Sequence, residues 1–152
     1  MIKPICIDLD NILPIWSNKL WPDRISPIES HSAMMYKSDH FDSRNFLLPA
    51  WYYAIYENNS IIGVNSGHLC TDGSMRSRGL WVDYEYRGKG YGKLLLCAVI
   101  DTAIEYNSKF VWSFPRSSSW KTYKSVGFIQ TSDWASSETS NANAYCICNI
   151  LR

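Results

Sequence analysis

The sequence predicts an α+β fold, and three observations carry that expectation. Strand-like runs in the first half are separated by tight turns, which favours antiparallel hairpins. In the second half strand-like and helical runs alternate, which calls for crossover connections. An apolar content of 46% against 19% charged residues belongs to a chain that buries a core. At 152 residues, the chain is expected to form one domain over 1–152.

Residues 4–8 are apolar and bounded, which suits a short first strand. From Asp10 the spacing of Ile12, Leu13, Ile15, Trp16 and Leu20 predicts an amphipathic helix capped by Asp10 or Asn11, with Pro14 in its first turn. Residues 21–24 break it. Ser26, Pro27 and Glu29 then make a capping-box pattern, predicting a second helix closed by Met34, Met35 and Tyr36. Residues 40–49 read as a loop. An aromatic strand over 51–56, a turn over 57–60 and a partner strand over 61–70 form a hairpin. Asp72-Gly73 marks a break before a strand over 79–84. A helix over 90–106 carries Leu94, Leu95, Ala98, Val99, Thr102 and Ala103 on one stripe. A strand over 110–114 ends at Pro115, and a shorter helix over 120–126 is stopped by Gly127. Strands over 128–131 and 144–150 enclose a Ser/Thr/Asn-rich surface connection, 132–143. The order is β-α-α-β-β-β-α-β-α-β-β, without an internal repeat.

Fifteen basic against fourteen acidic residues leave a net charge of +1. That balance argues against gripping nucleic acid by bulk electrostatics and favours a small-molecule or protein partner. The five cysteines (Cys6, Cys70, Cys97, Cys146, Cys148) are odd in number, without C-x-x-C or zinc-ligand spacing. Reduced thiols, no metal and a cytoplasmic location are therefore expected. No apolar run approaches membrane-span length, so no membrane partner is expected.

The most informative segment is Leu80-Trp81-Val82-Asp83-Tyr84-Glu85-Tyr86-Arg87-Gly88-Lys89-Gly90-Tyr91-Gly92-Lys93. A β-favouring run ends in three alternating glycines, and a helix pattern follows. Such a junction lets backbone lie against a ligand and offers the unpaired N–H groups of a helix start to an anion. Arg87, Lys89 and Lys93 add positive charge. A Walker A loop fails, because Leu94 follows Gly92-Lys93 where Ser or Thr is required. A dinucleotide fingerprint fails on its glycine spacing and on its place past the middle of the chain.

Arg87-Gly88-Lys89-Gly90-Tyr91-Gly92 instead resembles the R/Q-x-x-G-x-G/A signature of the GCN5-related N-acetyltransferases, the GNAT superfamily. Leu80-Trp81-Val82-Asp83 resembles the strand preceding that signature, with Tyr84 where most members carry Pro. Trp120-Lys121-Thr122-Tyr123-Lys124-Ser125-Val126-Gly127-Phe128 resembles the family's A-x-x-x-Tyr-x-x-x-Gly-Phe segment. The specific likeness covers about 79–128; the first half is similar only in the order of its elements.

The resemblance implies a mixed, mostly antiparallel sheet of six to seven strands flanked by about four helices. It also implies an acetyl-CoA-dependent N-acetyltransferase acting on an amine-bearing small molecule or protein. Backbone N–H groups of Leu80, Trp81 and Val82 would bind the pantetheine arm, one near Val82 polarising the thioester carbonyl. Those of Gly88, Lys89, Gly90, Tyr91, Gly92 and Lys93 would hold the pyrophosphate, with Arg87 closing the loop by a contact of its own. Tyr123 matches the tyrosine that protonates the departing thiolate, the alternative being a core tyrosine. Arg116 stands where the family often has a cofactor-contacting Asn, and either reaches a phosphate or is solvated.

The general base stays open among Glu29, His68, Asp72, Asp83, Glu85 and ordered water. The acceptor site is expected among the two N-terminal helices and the loops flanking the cofactor strand, around residues 20–24 and 30–36, with Trp21 and Trp51 either lining a cleft or filling the core. Asp23 could meet a cationic amine or simply be solvated. A non-catalytic module that keeps this fold for cofactor or protein binding is the alternative function.

Overall fold

The computed structural model describes residues 2–135 and 142–150. Within them, seven strands form one mixed sheet in the order β1-β2-β3-β4-β5-β7-β6. The strands β1 (Ile5–Ile7), β2 (Ala50–Glu57), β3 (Ser60–Leu69) and β4 (Met75–Val82) pair antiparallel in sequence. The helix α2 (Tyr91–Glu105) then crosses over, so that β5 (Phe110–Ser113) runs parallel to β4. After α3 (Trp120–Ser125), β6 (Ile129–Gln130) and β7 (Cys146–Asn149) complete the sheet, β7 lying antiparallel between β5 and β6.

Two apolar surfaces hold the sheet. From α2, the fully buried Leu95, Leu96, Val99 and Ala103 pack against Ile55, Ile62, Met75 and Val111. On the other face Ile12, in the middle of α1 (Leu9–Ile15), and Trp16, in the turn after it, pack on Ala54 and Val64. Successive strand residues point to opposite faces. Ala54 beside Ile55 therefore puts the two helices on opposite sides of β2.

The α1 helix begins after Asp8 rather than at Asp10, which moves Pro14 from the first turn into the interior. There its ring removes a hydrogen bond and crowds the carbonyl four residues back. The helix widens at once into a π-helical turn, Trp16–Leu20, closed by Trp21 N donating to Trp16 O at 2.7 Å.

The helix expected over 26–36 does not form, and among the described residues three α-helices stand where about four were expected. Its backbone carbonyls are taken by side chains instead. Arg24 donates to Ser26 O and Pro27 O, Arg78 to Glu29 O, and the Tyr52 hydroxyl to Ser30 O. Residues 43–47 of the expected loop form a 3₁₀ turn whose first N–H groups are capped by Asp42. Of the expected 132–143 connection, residues 136–141 lie outside the described residues.

Candidate active site

The site starts where β4 and β5 part. Their ladder consists of Met75 opposite Val111 and Arg76 opposite Trp112. Beyond it the Ser113 hydroxyl donates to Ser77 O at 2.8 Å, and from Arg78 to Val82 the β5-facing edge of β4 has no strand partner. On its other edge β4 carries one extra residue against β3, between the pairs Val64–Trp81 and Ser66–Arg78. Gly79 sits in this bulge at φ +78°, where a Cβ would lie 2.4 Å from the Trp16 indole. Trp16 Nε1 donates to Gly79 O at 2.9 Å, so the turn after α1 holds the bulge in place.

A cavity of about 350 Å³ runs through this fork. Tyr123, Ser113, Trp21, Arg76, Arg78 and Arg116 line it. Tyr123, on α3, is 3% exposed and its hydroxyl lies 3.4 Å from Ser113 Oγ. Burial pushes its phenol up to about 12, the Ser113 hydroxyl opposing that shift. It therefore keeps its proton across the neutral range.

Past the end of β4 the chain makes a 3₁₀ turn, Tyr84–Tyr86, with Asp83 accepting from Glu85 N. Arg87 folds back so that its Nε donates to Val82 O at 2.9 Å, tying the glycine loop to the strand. Gly88 and Gly90 hold φ of +78° and +89°, and a Cβ built on either meets nothing within 4 Å. Gly92 differs: a Cβ there would lie 2.9 Å from Thr122 Cγ2 on α3. Gly90 caps α2, whose first N–H groups at Tyr91, Gly92 and Lys93 have no carbonyl one turn earlier in the helix. Lys89 and Lys93 are exposed beside them, and Lys89 lies over the Tyr86 ring. Open space above left-handed glycines at a helix start is a cradle that fits an anionic group. Leu80, Trp81 and Val82 are half-buried, with Trp81 packing toward α1 and the other two toward α2.

None of the five candidate bases lines the cavity. Glu29 and Glu85 are exposed, Asp72 accepts from Ser74 N and Oγ, and Asp83 caps the turn after β4. His68 is fully buried in β3 against Ser66 and His31. Trp21 does line the cavity, whereas Trp51 packs on Tyr106 at 4.5 Å between ring centroids. Arg116 lies inside the cleft, its Nη2 3.4 Å from Leu20 O. Arg24, Arg76 and Arg78 also line the cleft, and the expected strand start at residue 79 passed over the latter two. The signal was the Arg-x-Arg alternation just before the apolar run, which puts two guanidiniums on one face of a strand.

A strand fork with a buried tyrosine in its cleft, and a glycine loop at a helix start just past the end of β4, are the features that likeness to known proteins bears on. The sequence profile of the Acetyltransferase (GNAT) family matches residues 14–128, and the chain belongs to that family. No curated protein sequence matches it. Among solved structures, Escherichia coli ElaA superposes with a TM-score of 0.71 at 12% identity, over 98% of this chain and 100% of that one. An acetyltransferase of the GNAT family from Staphylococcus aureus Mu50 gives 0.65 at 18% identity, over 98% and 99%. A Bacillus anthracis protein solved in complex with acetyl coenzyme A gives 0.66 at 15% identity, over 99% of both chains. At these identities the likeness is one of fold. Among the described residues no group of three His, Cys, Asp or Glu could hold a metal ion. No described helix is long and apolar enough to cross a membrane.

Proposed function

We propose that the chain is an acetyl-CoA-dependent N-acetyltransferase that passes an acetyl group to a primary amine by direct attack on the thioester. The observation that carries this reading is the continuity of the unpaired β4 edge with the glycine cradle, while Tyr123 lines the same fork. Bound there, acetyl-CoA supplies an activated acetyl group and a thiolate that leaves. The α2 N-terminus and the loop from Gly88 to Lys93 hold the pyrophosphate. The free edge from Leu80 to Val82 binds the pantetheine arm as an added strand would, and an N–H near Val82 polarises the carbonyl.

Tyr123 keeps a proton to offer to the departing sulfur. With its phenol pushed up by burial to about 12, Tyr123 is a weaker acid than a thiol, so complete proton transfer to the leaving thiolate runs uphill. Tyr123 thus acts first as a hydrogen-bond donor that stabilises negative charge as it develops. Among the described residues lining the cavity there is no carboxylate or imidazole to serve as base. The guanidiniums of Arg24, Arg76, Arg78 and Arg116 disfavour a bound ammonium and so favour the neutral amine that attacks, its proton leaving through water.

The test is thiol release from acetyl-CoA across a panel of primary amines. Tyr123→Phe should lower kcat by about 10- to 100-fold while acetyl-CoA affinity stays within about twofold. Full activity in that variant would remove Tyr123 from the chemistry. Absence of thiol release with every amine would favour the non-catalytic alternative.

A further inference from the structure

Arg78 is buried and Arg76 half-buried with its Nε enclosed, and neither has a countercharge among the described residues. They stand two apart on β4 and share one face of the sheet. Arg78 is 5% exposed, its guanidinium 5.1 Å from the Trp16 ring centroid and 5.5 Å from that of Trp21. Its Nη1 donates to Glu29 O at 3.0 Å. Arg76 lies 5.2 Å from the Trp112 ring centroid, and its Nη1 donates to Ser32 Oγ. Its Nε is buried and has no hydrogen-bond partner.

Among the described residues the single ion pair is Arg44 with Asp42, on the surface. A buried charge left uncompensated is unfavourable by several kcal/mol. Burial pulls Arg76 down to about 10 and Arg78 to about 9, yet both remain cationic at neutral pH. Aromatic faces compensate only part of that charge, at about 2 kcal/mol or a little more each. Both side chains line the cavity, and Arg24 and Arg116 extend its positive lining.

Building on the acetyltransferase reading, we infer that the acceptor is a small amine carrying a carboxylate, which seats on Arg76 and Arg78. The guanidinium forks match a planar carboxylate in two-point contacts, and Arg76 Nε gains the partner it lacks. A cavity of 350 Å³ lies at the small end of ligand sites, which suits an amino-acid-sized molecule. Four guanidiniums exclude a polycation such as a polyamine by repulsion. The anion also sets register: once the carboxylate is held on β4, the amine can point along the cleft toward Tyr123.

The experiment first measures acetyl-CoA binding to the full chain by calorimetry. It then compares kcat/KM for matched acceptors: each standard L-amino acid and 4-aminobutyrate against its carboxamide, with phosphoethanolamine and spermidine alongside. Turnover should be confined to carboxylate members, at least about 100-fold above their carboxamides, as expected when a buried charge loses its partner. Arg76→Gln should collapse that ratio toward one while leaving the acetyl-CoA Kd unchanged, and Arg78→Gln should do the same if circular dichroism shows it folded. Carboxamides reacting as well as acids, a preference for spermidine or phosphoethanolamine, or no reactive carboxylate would each overturn the inference. Acetyl-CoA binding with any of those outcomes would leave the donor assignment standing; absence of binding would overturn both.

Discussion

At the scale of single residues, the buried histidines show how burial decides a role that residue type leaves open. Ser66 Oγ donates its proton to Arg78 O at 2.6 Å, so it accepts from His68 Nε2 at 2.7 Å, and His68 Nδ1 carries no proton. His31 stands edge-on at 4.6 Å between ring centroids. Burial, aided by His31 and the neighbouring Arg78 and Arg76, holds His68 well below 6.5. Burial likewise lowers His31, with Arg78 and Arg76 adding to the effect. In both cases the folded value lies below the unfolded one. The stability they contribute is present above pH 6.5 and is lost as pH falls, because the unfolded chain takes up protons first. Each neutral histidine contributes a slope of up to about 1.4 kcal/mol per pH unit in that window. The urea midpoint should therefore fall between pH 7 and 5.5, and His68→Gln should flatten the fall. Asp42, held low by Arg44 and Thr71, acts only in a separate window below about pH 4. An equally steep slope in His68→Gln would assign the acid sensitivity elsewhere.

At the scale of elements, the segment around the glycine loop was legible and the segment between α1 and β2 was not. The strand, loop and helix over 80–105 could be read because glycine spacing and an apolar stripe are local signals. The segment over 26–36 could not, because its fate depends on Arg24, Tyr52 and Arg78 reaching its carbonyls, two of them from distant strands. The start of β4 was missed because Arg76, Ser77 and Arg78 carry no apolar alternation; they face a cleft and a polar interior. The loop glycines divide the same way. Gly90→Ala meets no atom but must hold φ +89°, which costs about 1 to 2 kcal/mol. It should also weaken acetyl-CoA binding by at least about tenfold, by narrowing the cradle. Gly92→Ala instead meets Thr122 and should lower stability through the α2–α3 packing. Its folded fraction should bind acetyl-CoA within about threefold of wild type. Denaturant unfolding together with calorimetry separates the two, and equal binding losses would remove the distinction.

At the scale of the molecule, the sheet is two sets of strands joined at two residue pairs. One set is β1 to β4 and the other β5 to β7, with α2 packed across both. An open fork of this kind leaves backbone groups of β4 without strand partners in the middle of a sheet. A ligand lying along that edge would replace the missing strand and bridge both sets, so its binding energy adds to their cohesion. A ligand that binds only the folded state stabilises it by about 2.7 kcal/mol at 100 times its Kd. For a chain of this length that corresponds to a Tm rise of roughly 5 to 10 °C. Acetyl-CoA should produce it, and free CoA should come close, because pyrophosphate and pantetheine contacts are common to both. Gly90→Val should abolish the rise while retaining a cooperative transition of its own. Carboxylate acceptors should add a further rise only where Arg76 and Arg78 are intact, if the acceptor seats on them as inferred. No rise in Tm at millimolar acetyl-CoA would mean that the fork is closed by the protein itself, and the donor assignment would fall with it.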